Sequence, residues 1–241
     1  RVTGVRTDRG DVECEVVVDC GGLFAPEIAR LAGVRVPIVP MSHQYVVTEA
    51  MFEHRETPLP SLRDPDLLVY YRQEVGGLVM GGYERLSLPF TASASSYDAV
   101  PPDFNGRLLS PDHERFVEIS ENAAVRVPSI ADVGIRSFIN GPEAFTPDNE
   151  FCLGPTDVAG FFVAAGFCAH GLAGAGGMGQ LVAEWIVEGT PSLDVWHMDS
   201  RRFGASYRSR EYTLARTAEI YETYYDVEYP GHERSAGRPL R

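Results

Sequence analysis

The chain has 241 residues, 44% hydrophobic and 23% charged, with 21 basic against 34 acidic side chains and a net charge of -13. That length can close its own core without disulfide or metal staples, and so acidic a chain is repelled by phosphate backbones and anionic lipid, which argues against nucleic acid or a membrane surface as partner. No apolar run reaches the roughly 18 residues of a spanning helix, and Cys14, Cys20, Cys152 and Cys168 show neither CxxC nor zinc spacing, so no metal site is expected and the thiols read as buried groups of a reducing, cytoplasmic compartment.

In chain order, Val2-Thr3-Gly4-Val5 reads as a strand that turns at Asp8-Arg9-Gly10 into a second strand, Glu13 to Asp19. A hairpin needs a sheet to pack on. With Arg1 first and Gly237 to Arg241 last, the chain reads as a segment of something longer. Residues 16–22 are a short continuous apolar run ending in glycines, the pattern of a parallel strand buried on both faces. Residues 25–33 predict a helix with Pro26 in its first turn and Gly33 at its C-cap.

After Pro37 and Pro40 the pattern changes to period two. Tyr45–Thr48, Leu67–Arg72 and Gly77–Tyr83 predict strands, the last two joined as a hairpin through Glu74-Val75-Gly76. Alternation puts Tyr70 and Arg72 on one face and Tyr71 on the other, so one tyrosine belongs to the core. Residues 87–111 predict a long loop. A helix follows from Asp112, its N-cap, to near Val127, and Val133–Ile139 predicts another strand. Phe161–Ala165 is a second buried strand, Leu181–Glu188 a helix ended by Gly189, and Ser209–Tyr225 a last helix with aromatic residues on one side. Buried-strand character near both ends, with alternating strands between, is the pattern of an antiparallel domain inserted in a doubly wound one.

Gly166 to Gly179 is the most informative stretch for chemistry. It follows a buried strand and leads to a helix, where backbone N–H groups and the positive end of the helix dipole face the gap. Gly174-x-Gly176-x-x-Gly179 matches the dinucleotide fingerprint GxGxxG, but it sits several residues past the strand end and no parallel strand follows to complete a βαβ unit. Close helix-to-sheet packing and a site for negative charge on a bound ring both fit. His43, just before a strand, reads by itself as a hydrogen-bonded structural histidine rather than a catalyst, and Tyr70 carries the same ambiguity. Cys168 lies two residues from His170, without a nucleophile signature around the pair. His54, His113, His197 and His232 stand in polar contexts without ligand spacing.

Ordered segments along the whole chain carry a resemblance. They include Val17–Ala25, His43–Thr48, Leu62–Asp64, Val69–Arg72, Gly81–Glu84, Asn140–Asp148, Gly176–Gln180, Arg201–Phe203 and Ala236–Leu240. The chain resembles the C-terminal part of the flavin half of the dimethylglycine and sarcosine dehydrogenases, D-amino-acid-oxidase-like flavoproteins. The resemblance implies FAD, oxidative demethylation of an N-methylated glycine by hydride transfer to flavin, and an electron-transfer flavoprotein or oxygen as electron acceptor. It further implies tetrahydrofolate in the complete protein, with Ala236–Leu240 leading into a folate-binding domain.

By the same resemblance Gly21, Gly22 and Phe24 contact FAD, Phe24 standing where tryptophan is common. Gly166, Phe167, Cys168, Ala169, His170, Gly171 and Leu172 lie against the flavin ring, with backbone roles. His43 and Tyr70 become the active-site pair that keeps the substrate amine neutral and oriented. The pyrophosphate fingerprint of such enzymes lies N-terminal to this segment, so the segment alone is expected to be colourless and inactive.

The fold expected is α/β with an α+β insertion: a partial FAD-binding doubly wound domain (1–36 and 141–190), a mostly antiparallel substrate-binding sheet (37–140), and a helical lead-in (191–241). Two rivals accompany the enzyme reading: a non-catalytic regulatory paralogue, and a sister flavoenzyme for another secondary amine or amino acid.

Overall fold

The computed structural model describes residues 1–52, 57–86, 88–90 and 99–234. His54, part of the 87–111 loop and Ala236–Leu240 lie outside them. Strands β1 (Gly4–Thr7) and β2 (Gly10–Glu13) form an exposed antiparallel hairpin around Asp8-Arg9. The expected second strand, Glu13–Asp19, is in fact divided. Cys14 still donates to Thr3 O, whereas Val17 donates to Gly160 O and starts β3 (Val17–Asp19) in another sheet.

That sheet has the order β3-β10-β9 and includes β9 (Cys152–Pro155) and β10 (Phe161–Ala165). β3 and β10 are parallel, as their apolar character predicted, and β9 is antiparallel to β10. Helix α1 (Ala25–Leu31), with Pro26 in its first turn, packs Ala25 and Ala29 beside Val36, Ile38, Phe161, Val163 and Ala165. The core therefore lies on one face only. Val18, on the other face, is 36% exposed, so β3 is not buried on both sides.

The larger sheet is antiparallel throughout, in the order β5-β6-β7-β4-β8. Its strands are β4 (Val39–Thr48), β5 (Leu62–Asp64), β6 (Val69–Glu74), β7 (Gly77–Gly82) and β8 (Ile135–Phe145). The β6–β7 hairpin turns on Val75 and Gly76, both at positive φ, the primed geometry that matches strand twist. Helix α2 (His113–Arg126) is capped by Asp112, whose side chain accepts from Arg115 N at 3.1 Å. It lays Phe116, Ile119 and Ala123 on Val46, Val69, Tyr71 and Met80.

Two strands are longer than their sequences suggest. Proline cannot donate to a ladder, yet Pro40 and Pro142 both lie within paired β4 and β8. β8 also runs through the expected boundary at residue 140 and leaves its sheet only after Phe145.

Helix α3 (Gly171–Glu188) starts ten residues before the expected Leu181. Each glycine costs about 1 kcal/mol in a helix interior, so the run reads as loop. Once the apolar turn from Leu181 is packed, propagation adds one bond per residue fixed, and the glycine turns extend it. Gly189, at φ +80°, ends it. Helix α4 (Arg210–Glu222), capped by Ser209, ends before Tyr224 and Tyr225, which lie in the turn that follows. Its buried Ile220 and Tyr221 pack with Val39, Met41, Tyr83, Phe145 and Cys168, tying the two sheets together.

Of the cysteines, Cys152 and Cys168 are buried, whereas Cys14, between β2 and β3, is half-buried and Cys20, just past the end of β3, is exposed, so the expectation of four buried thiols holds for two of them. Among the described residues no helix is long and apolar enough to cross a membrane, and no group of three or more His, Cys, Asp or Glu is placed to hold a metal ion.

Candidate active site

Two grooves meet where the sheets join. The first is built from backbone. β10 ends at Ala165, and the chain reaches α3 through Gly166 (φ +67°), Cys168 (φ +44°) and Ala169 (φ +70°). A Cβ at Gly166 would lie 2.8 Å from Thr146 Cγ2 and 3.0 Å from Ile38 Cγ1, so only glycine fits both the turn and the space. Cys168 and Ala169 hold a left-handed conformation that costs side-chain-bearing residues on the order of 1–3 kcal/mol each. The cost is borne by buried contacts of the Cys168 thiol, which bonds Thr146 N and Gly166 O, both at 3.4 Å.

The turn, the start of α3 and the end of β3 enclose a groove of about 560 Å³. Its walls are Cys20, Gly22 and Leu23 on one side and the turn with Leu172, Ala175 and Gly179 on the other, over Glu143 and Ala144. Leu172 is 100% exposed, and Gly22, Gly171 and Gly176 have open space where a Cβ would stand. At the end of β3, Asp19 accepts from Gly21 N at 2.9 Å, while its buried Oδ2 finds no partner among the described residues. Burial pushes the Asp19 carboxyl up to about 6.

The second groove, about 380 Å³, is built from side chains. Arg63, Tyr70, Gly81 and Tyr45 stand in one row across β5, β6, β7 and β4. A Cβ at Gly81 would come within 2.6 Å of Tyr70 Cζ, so the bare glycine lets the Tyr70 ring lie across β7 towards His43. Tyr71, as alternation requires, faces the other way and donates to Ala123 O under α2.

His43 is 6% exposed and stacks on Tyr83 at 4.5 Å between ring centroids. Its Nε2 lies 3.1 Å from Tyr70 Oη and its Nδ1 3.0 Å from Tyr221 Oη. Burial is the main cause that pushes Tyr70, Tyr83 and Tyr221 well above the ordinary phenol range, so these hydroxyls keep their protons. Arg63 lies over the Tyr225 ring at 4.0 Å, at the rim.

Glu143 and Ala169 line both grooves, so the two are contiguous. An apolar slot flanked by a helix N-terminus opens directly onto an aromatic pocket holding a histidine, a tyrosine, an arginine and a carboxylate. The slot falls within the range of about 300–1,000 Å³ typical of cofactor sites.

A family model described as FAD dependent oxidoreductase matches residues 1–185. A second, FAD dependent oxidoreductase central domain, matches residues 188–241. The chain belongs to the FAD dependent oxidoreductase family. Within it the expected likeness holds. The chain is 38% identical to human (Homo sapiens) mitochondrial sarcosine dehydrogenase, covering 100% of this chain and 26% of that protein. It is 35% identical to rat (Rattus norvegicus) mitochondrial dimethylglycine dehydrogenase, covering 98% of this chain and 28% of that protein. The chain thus spans about a quarter of the length of these relatives. The crystal structure of L-proline dehydrogenase from P. horikoshii superimposes with a TM-score of 0.68 at 28% identity, over 83% of this chain and 50% of that one.

The backbone groove fits the flavin that this family uses. It is apolar, it has glycines where a flat ring needs close approach, and helix N–H groups stand at its edge. Of the residues expected there, Gly22, Gly166, Phe167, Cys168, Ala169, Gly171 and Leu172 line it. Gly21 and Phe24 do not. The bare Cα of Gly21 instead admits Ile28 of α1, whose Cδ1 would sit 2.5 Å from a Cβ, and Phe24 is the half-buried N-cap of α1. His170 lines the second groove. Its Nδ1 is 2.9 Å from Cys168 O, while burial pushes the Cys168 thiol up to about 12, so the pair is not arranged as a thiolate nucleophile and base.

Sequence reasoning missed Arg63, Glu84, Arg115, Glu143, Tyr221, Tyr224 and Tyr225. Three of them, Arg63, Glu84 and Glu143, lie inside segments that carried the resemblance. Tyr221 and its neighbours were visible only as an aromatic-rich helix end.

Proposed function

We propose that the chain forms the amine-oxidising centre of an FAD-dependent enzyme acting on an N-methylated glycine of sarcosine or dimethylglycine type. The observation that carries the reading is the contiguity of the two grooves at Glu143 and Ala169. Bound FAD supplies the two-electron acceptor for hydride loss from the N-methyl carbon. Everything else is work for this chain's side chains.

Hydride loss needs a free lone pair on nitrogen, so the ammonium form must first lose its proton. Tyr70 Oη faces the second groove with His43 Nε2 behind it at 3.1 Å, the arrangement of a hydroxyl that receives a proton while passing its own to a base. Arg63, at the rim, pairs with the substrate carboxylate. Tyr45, Tyr83, Tyr224 and Tyr225 wall the pocket and exclude water. The resemblance adds tetrahydrofolate as acceptor of the one-carbon unit and an electron-transfer flavoprotein or oxygen as electron acceptor.

The test is anaerobic mixing of the FAD-loaded protein that carries this chain with sarcosine, dimethylglycine, L-proline and a carboxylate-free N-methylamine. Loss of flavin colour should be fastest with the N-methylglycines. Faster reduction by proline would move the substrate class to that of a sister enzyme. No reduction by any secondary or tertiary amine would end the reading.

A further inference from the structure

Behind His43 lies a polar chain that the substrate cannot reach. Tyr221 Oη is 3.1 Å from Glu84 Oε2. Glu84 is 2% exposed and is paired through its other oxygen with Arg115, by Nε at 3.0 Å and also by Nη2. Arg115 is held in turn by Ser42 Oγ at 3.3 Å and Ser42 O at 3.2 Å, and Ser42 donates to Asn140 Oδ1 at 2.8 Å. Ser42 and His43 are adjacent on β4, so the ion pair and the histidine share one scaffold.

The chain has a direction. A carboxylate bonded to a guanidinium only accepts, so the single hydroxyl proton of Tyr221 points at Glu84. The Tyr221 oxygen is then free to accept from His43, which places the imidazole proton on Nδ1. A neutral imidazole carries one proton, so Nε2 is bare and Tyr70 donates to it. The lone pairs of Tyr70 Oη remain for the groove.

We propose that Tyr221, fixed by the Glu84–Arg115 pair, is a positioning residue that locks His43 in its Nδ1–H tautomer and so keeps Nε2 ready for the substrate's proton. This rests on the amine-oxidising reading above. The step balances without electron transfer. The ammonium N–H bond breaks as an O–H bond forms on Tyr70, and the original Tyr70 O–H bond breaks as an N–H bond forms on His43 Nε2. The substrate leaves as neutral amine and His43 as imidazolium, both N–H groups bonded to tyrosine oxygens.

The groups facing His43 are Tyr70 from β6, Tyr83 and Glu84 beyond β7, Glu143 from β8, Tyr221 from α4 and Tyr224 and Tyr225 after it. Arg115 of α2 backs Glu84, and Arg63 of β5 and His170 before α3 share the groove. Two carboxylates face two guanidiniums, so the pocket gains only the charge that the substrate gives up.

Nitrogen-15 spectra of histidine-labelled, FAD-loaded protein read the tautomer directly. His43 should show a protonated Nδ1 and a bare Nε2. Tyr221→Phe keeps the ring packed on Phe145 and Tyr83 and should release the lock, giving Nε2–H or a mixture. The pH midpoint of flavin reduction should then move up by about one unit, or on the order of tenfold in rate at neutral pH, because the amine must shed its proton to water. Glu84→Gln should move both readouts the same way. It strands Arg115, so FAD content and circular dichroism are checked first and Tyr221→Phe decides if it misfolds. Nε2–H in the parent protein, or an unchanged spectrum and midpoint in Tyr221→Phe, would overturn the proposal. Failure of every N-methylamine to reduce the flavin sinks the function instead, and the spectrum then decides the lock alone.

Discussion

The two grooves are made differently. The one around Gly166 is a backbone site: its shape comes from positive φ angles and missing Cβ atoms, and several of its walls are bare. The one around His43 is a side-chain site, in which the histidine is bonded to two tyrosines and most of the walls are aromatic. A backbone site should tolerate changes of side chain but not an added Cβ at the turn. A side-chain site should fail in chemistry while the fold survives.

The largest effect that sharpens this contrast is expected from His43→Ala. Loss of a positioned base costs about 10²–10⁴-fold, and flavin reduction by N-methylglycines in stopped flow should slow by that order with FAD still bound. Unchanged single-turnover rates would return His43 to a structural role. Gly166→Ala should act the opposite way, combining a left-handed backbone penalty with overpacking against Thr146 and Ile38, on the order of 3 kcal/mol. Denaturant midpoints and FAD content should both fall. A variant as stable and as yellow as the parent would break the claim that the turn is built by absent atoms.

Arg63→Ala comes next. Loss of a charge-assisted bond to carboxylate is worth about 1.5–3 kcal/mol, so KM for sarcosine should rise by one to two orders of magnitude, while a carboxylate-free amine should be unaffected.

The smallest effect concerns Asp19, whose folded pKa of about 6 lies above its ordinary value of 3.8. The folded state therefore binds the proton more tightly, and stability is full below the ordinary value and falls as pH rises towards 6. Asp19→Asn should raise Tm at pH 7 and leave it unchanged near pH 4. An equal shift at both would point to a cause other than titration.

What could be read in the sequence follows the same division. α2 is legible because Asp112 supplies a cap and Phe116, Ile119 and Ala123 recur at helical spacing. The β6–β7 hairpin is legible from Val75-Gly76, and β10 from its apolar run. The start of α3 is hidden because its glycines oppose helix locally while tertiary placement favours it. Pro40 and Pro142 conceal the full length of β4 and β8 for the same kind of reason.

In the site, His43 and Tyr70 are 27 positions apart and enter through the resemblance, and the sheet brings them within 3.1 Å. Tyr221 is 178 positions from His43, and Glu84 is 31 from Arg115. No local pattern couples such residues. Only the packing of α4 and α2 around the start of β4 does so.

The central claim is that one reacting centre spans both grooves. A crystal structure of the FAD-loaded protein with a bound N-methylglycine tests it most directly. The account predicts the flavin ring against Gly166–Leu172, the substrate nitrogen within hydrogen-bonding distance of Tyr70 Oη, and its carboxylate on Arg63. A ring seated away from that turn, or a substrate bound out of reach of Tyr70, would contradict it.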